Sequence, residues 1–126
     1  LAEKDTAIAE AQTALAHLAN ARPHLTSDQY GDLDWRLTLA ERTAIIWKLH
    51  AEALFGYKAL AAGHAVPGLA ERVARALAAL REQADVSARD PRIGNAPPAS
   101  AKEIRAFAAD LEKRLASLNN YRTSGR

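Results

Sequence analysis

Apolar residues recur at helical spacing in four stretches of the chain. The first holds Ile8, Ala11, Leu15 and Leu18, three and four apart, and predicts a helix over about 3–21. Pro23 stops it, and "RPHLTSDQYGDLD" reads as a connection in which Thr26 or Ser27 caps a short turn. A second helix is expected over 34–62, with Asp32 or Asp34 at its positive end and Gly63 as its stop. A third is expected over 67–86, with Pro67 in its first turn and a stripe of Leu69, Val73, Leu77, Leu80 and Ala84. Asp-Pro, Gly-Asn and Pro-Pro make "ARDPRIGNAPPA", residues 88–99, irregular. The fourth helix is expected over 100–119. Ser100 and Glu103 form a capping box there, and Ile104, Phe107, Leu111, Leu115 and Leu118 form the stripe. Residues 120–126, "NYRTSGR", read as a polar, basic tail.

These elements predict an all-α fold: one domain over 1–126, a four-helix up-down-up-down bundle with one long loop between helices 3 and 4. Helix 2 is too long for that frame. It should overhang, kink near Gly56 or break near Gly31–Asp34.

On a wheel of about 100° per residue, helix 2 carries two apolar groups. Trp35, Leu39, Ile46, Leu49, Ala53, Tyr57 and Leu60 form the first, with His50 at its edge. Leu33, Leu37, Trp47, Ala51 and Phe55 form the second. Only Glu41, Lys48 and Glu52 fill a clean polar arc. Helices 1, 3 and 4 each show one stripe of ordinary width. The surplus face of helix 2 is therefore either covered by the two irregular segments or used as an interface. Leu37, Trp47 and Phe55 are the expected contact residues for a protein partner or a second copy, with the 88–99 loop as a rim. The competing expectation is a small apolar ligand inside the bundle, held by Trp35, His50, Tyr57 and Phe107.

Composition supports the helical reading. Alanine supplies about a quarter of the residues, and it is the best helix former. Hydrophobic residues at 48% and charged residues at 25% are values of a folded globular chain. No apolar run reaches the length of a membrane span. Methionine is absent even at position 1, so the chain reads as processed, excised or trimmed, and "LAEKD" fits a mature start after leader removal. Exported and cytoplasmic locations are both compatible with it.

Charge divides unevenly. Residues 1–63 hold 6 Lys/Arg and 8 Asp/Glu, and residues 64–126 hold 11 and 7, giving −2 and +4. The basic candidates on helices 3 and 4 are Arg72, Arg75, Arg81, Lys102, Arg105, Lys113 and Arg114, followed by Tyr121, Arg122 and Arg126. Acidic residues interleave with them, so a nucleic-acid or acidic-protein contact is the weaker expectation.

Catalytic and metal motifs are missing. There is no cysteine, which removes thiolate metal sites, thiol nucleophiles and C-x-x-C-H haem attachment. His17, His24, His50 and His64 are never three or four apart, and no H-E-x-x-H or E-x-x-H pair occurs. No nucleophile elbow or phosphate loop is present. The expectation is a non-enzymatic helical interaction module with no cofactor and no metal.

"HLTSDQY", residues 24–30, resembles the L-T-x-x-Q element of periplasmic Spy-type helical chaperones. The likeness covers a few residues, occurs once, and lacks the methionine- and charge-rich neighbours of that family. No function is carried over from it.

Overall fold

A computed structural model describes residues 2–64, 66–92 and 100–124. The fold is all-α, with four α-helices among the described residues: α1 (Ala2–Ala21), α2 (Ser27–Ala61), α3 (Leu69–Arg89) and α4 (Ala101–Ser124). No strand occurs among the described residues. The helices fall into two compact units, residues 1–48 and 49–126. α2 contributes its first part to one unit and its last part to the other.

The first unit is a helical hairpin. α1 ends at Ala21 and the chain turns through a short 3-10 element, Arg22–His24, with Pro23 inside it. Thr26 then starts α2 with a reciprocal cap. The Gln29 backbone N–H donates to Thr26 Oγ1 at 3.1 Å, and the Thr26 N–H donates to Gln29 Oε1 at 2.9 Å. The guanidinium of Arg22 lies 4.6 Å over the Tyr30 ring and packs the turn against the new helix. This cap corrects the expected start at 34: α2 opens seven residues earlier, at Ser27, and runs without a break through Gly31 and Gly56 as 35 residues. The segment "RPHLTSDQYGDLD" is thus mostly helix and supplies no covering loop. Thr26 and Gln29 are also the matching polar positions of the L-T-x-x-Q likeness, and a helix start accounts for them.

The hairpin is antiparallel. Lys48 Nζ sits 2.5 Å from Asp5 Oδ1, which ties the first turns of α1 to residue 48 of α2.

The second unit packs the end of α2 with α3 and α4. α2 stops at Gly63, which has φ +82. The His64 N–H donates to the Ala59 carbonyl at 3.1 Å and the Gly63 N–H to the Leu60 carbonyl at 3.0 Å. Those two bonds satisfy the end carbonyls, as a left-handed glycine cap allows. α3 begins at Leu69 behind Gly68, whose φ is +77. Pro67 therefore lies before the cap and not in the first helical turn. α3 continues to Arg89, three residues beyond the expected 86, and stops at Asp90, which the following Pro91 holds extended. Ser100 caps α4 through its Oγ, which accepts the Glu103 N–H at 3.3 Å. α4 runs to Ser124, so 120–124, expected as tail, are helical backbone.

α3 and α4 run antiparallel, stitched by ion pairs between Arg81 and Glu112 and between Arg105 and Asp85, the latter at 2.9 Å. Val73, Leu77, Leu80 and Ala84 of α3 and Ile104, Ala108 and Leu111 of α4 are buried. Gly56 meets this core at close range: a Cβ built there would lie 2.4 Å from Val73 Cγ2. Gly56 is a contact surface, not a kink.

Candidate functional site

The hairpin carries a groove of about 560 Å³ between α1 and α2. Arg36, Leu39, Ala40, Thr43, Ala44 and Trp47 line its α2 side. Their spacing of three, four, seven, eight and eleven places them on one helical face. Glu3, Lys4 and Ala7 of α1 form the other side. Ala7, Ala40, Thr43 and Ala44 are small, and Leu39 adds a larger aliphatic side chain. The Trp47 indole stands as one wall and remains 47% exposed. Charge is confined to the rim, with Glu3 and Lys4 at the Trp47 end and Arg36 at the other. Arg36 is held to Asp32 of its own helix at 3.1 Å. The groove therefore offers apolar contact and shape, with Thr43 as the neutral polar side chain among its lining residues.

Of the three residues expected to bind a partner, only Trp47 lines this groove. Leu37 is half-buried on the same unit and lies outside the lining. Phe55 belongs to the second unit and is 59% exposed there. The alanines and Thr43 escape a search that looks for aromatic and charged residues. Their signal was present, as small side chains at 40, 43 and 44 on the face that carries Trp47.

The four residues expected around a ligand are distributed differently. Trp35 is half-buried in the first unit. In the second, His50 stacks on Phe107, with ring centroids 3.9 Å apart and planes 13° from parallel. Burial disfavours the imidazolium and lowers the His50 pKa below 6.5. A neutral ring against an aromatic face suits that environment. Tyr57 lines a separate surface hollow of about 420 Å³ with Asp110, Lys113 and Arg114 of α4. Neither His50 nor Phe107 lines that hollow.

A third depression, about 570 Å³, runs over Ala70, Ala74 and Ala78 of α3 and Leu115 of α4. The Arg81–Glu112 pair sits along it, and Glu112 raises the Arg81 pKa further by hydrogen bond and charge. Among the basic candidates, Arg81, Arg105 and Arg114 each pair with a carboxylate, which reduces the field they present. Tyr121, Arg122 and Arg126, and loop residues 93–99, lie outside the described side chains. Among the described residues no three His, Asp or Glu groups converge as for a metal ion. No helix among them is long and apolar enough to cross a membrane.

No protein-family model matches the chain, and neither a curated protein nor a solved structure is detectably similar to it.

Proposed function

We propose that the chain is a non-enzymatic helical docking module, and that its working surface is the α1–α2 groove beside Trp47. One observation carries this reading: a large aromatic side chain, 47% exposed, lines a groove together with Leu39, Ala40, Thr43 and Ala44. Exposed apolar surface of that kind marks contact sites. A helix laid in the groove would bury the indole and fill the space above Ala40 and Ala44. The groove's polar groups are rim charges and Thr43, a set that binds and orients but does not assemble a nucleophile with its base. Leu37 flanks the same unit, and Phe55 is a separate exposed aromatic on the second.

The test is a photoreactive phenylalanine analogue at position 47 of the full-length protein in its own cells. The expected result is a covalent adduct to a defined polypeptide, absent when the same group replaces exposed Glu10. A probe at 47 that reacts only with solvent overturns the reading.

A further inference from the structure

We infer that α1 is a strap that opens from α2 as one unit, hinged at the Arg22–His24 turn, while α2, α3 and α4 stay folded. Opening removes the α1 wall of the groove, so the strap gates that site. The gating rests on the docking reading above, whereas the opening itself does not.

α1 is thinly anchored. Of its 20 residues only Ala11 and Leu18 are buried. Ile8 and Leu15 are half-buried. The Asp5 side chain, which meets Lys48, is itself 58% exposed, and an ion pair so placed adds little. α3, of similar length, buries Val73, Ala76, Leu77, Leu80, Ala84 and Ser87 and is ion-paired twice to α4. A segment with few buried apolar contacts is one that opens on its own, below the free energy of global unfolding.

The hinge follows from the residues. Ala2–Ala21 contains neither glycine nor proline, so the helix has no interior break and is expected to leave cooperatively. At its end Pro23 sits in the 3-10 turn and Leu25 is extended, with φ −117 and ψ 149. The helical ladder therefore does not run from α1 into α2. Beyond the hinge α2 has its own start, the reciprocal Thr26–Gln29 cap. Its last part belongs to the second unit, where Gly56 packs on Val73. The first part of α2 thus extends a helix that is already anchored, and it needs no new nucleus. An undocked α1 must nucleate alone, which is unfavourable. That asymmetry decides which helix of the hairpin leaves and which stays.

Glu3, Lys4 and Ala7 are the share of the groove lining that α1 supplies. All three precede Ala11, the first buried anchor. An occupant that touches both walls binds the closed form alone and holds the strap shut.

Hydrogen exchange of the full-length protein, read residue by residue by NMR, tests the strap. Amides of residues 8–21 are expected to exchange at least about tenfold faster than those of residues 73–84, with one shared and shallower urea dependence. Leu18→Ala removes an anchor. It is expected to speed exchange over 8–21 by at least about tenfold more and to leave 73–84 unchanged. The same variant should lower covalent capture by the probe at 47. Three results overturn the strap: exchange over 8–21 as slow and as urea-sensitive as over 73–84, protection that only fades residue by residue toward Ala2, or a Leu18→Ala effect spread equally over α3. Exchange over 8–21 at the rate of an unfolded chain overturns it too, because no closed form then exists. Capture unchanged in Leu18→Ala overturns the gating. If exchange is uniform while the probe captures a polypeptide, docking stands and the strap falls. If α1 opens as expected and the probe captures nothing, the strap stands and the gating falls with the docking reading.

Discussion

Leu80, Ala84, Ile104 and Ala108 in the second unit have no exposed surface, whereas in the first unit Ile46 reaches that state and the adjacent Trp47 keeps 47%. Ile8 and Leu15, two of the four members of the α1 stripe, are only half-buried. Geometry explains the contrast. Two helices touch along one line, and a side chain on that line is covered on one flank. A third helix covers the other flank, and the second unit has three. The hairpin thus spends its apolar residues at partial burial, where each contributes a fraction of the roughly 1.5–3 kcal/mol that full burial gives. A surface left in that condition is where docking gains most.

The largest test of this contrast is core truncation. Ile104→Ala is expected to destabilise by about 2–5 kcal/mol, because the methylenes are lost and the closed core collapses only in part. Leu15→Ala, at a half-buried position, is expected to lose roughly half as much or less. Urea unfolding of both variants checks the ratio. Equal losses would mean that the hairpin is packed as tightly as the three-helix unit, and the comparison would fail.

The two glycines inside α2 sharpen it at smaller scale. Gly56 lies in the second unit against Val73, itself 1% exposed, with 2.4 Å available to a new Cβ. Gly56→Ala gains helix propensity of up to about 1 kcal/mol but overpacks a closed contact, which costs about 1–3 kcal/mol. A net loss is expected, and Val73→Ala in the same chain should recover part of it. Gly31 lies in the hairpin with nothing within 4 Å of its Cβ position. Gly31→Ala should therefore stabilise by roughly 0.5–1 kcal/mol. Thermal melts of the two single variants should move in opposite directions, and a shared sign would break the account.

Much of the fold could be read from the residues because the deciding interactions are local. The Gly63 stop, the Ser100 cap and the stripes of α3 and α4 all act within a few residues of themselves. The start of α2 lies before the expected residue 34 because the Thr26–Gln29 cap and 30 residues of later helix outweigh Gly31 and the acidic cluster around it, which argue against helix. The wheel sets Trp47 apart from the first apolar group, whereas in the structure Trp47 lines the groove together with Leu39, a member of that group. It could not pick out the groove, because a groove is defined by what is small. Ala7 and Ala40 carry no chemical signal until two helices are placed side by side. His50 was legible as a residue at the edge of an apolar face, but its Phe107 partner lies on another helix and required the fold.

The smallest expected effect belongs to that pair. Burial lowers the His50 pKa below 6.5, so the unfolded chain takes up a proton at a pH where the folded chain does not. The contribution of the neutral ring to stability is therefore complete above about pH 6.5 and is lost as pH falls through the lower folded value. His50→Phe keeps an aromatic ring beside Phe107 and removes the proton site. Unfolding curves at pH 7.5 and 5.5 should differ more for the wild type than for His50→Phe, with the wild type losing stability on acidification. Identical pH slopes would show that the imidazole titrates as freely in the folded protein as in the unfolded chain. The stacked pair would then be open to water, and the second unit less closed than its neighbouring core residues imply.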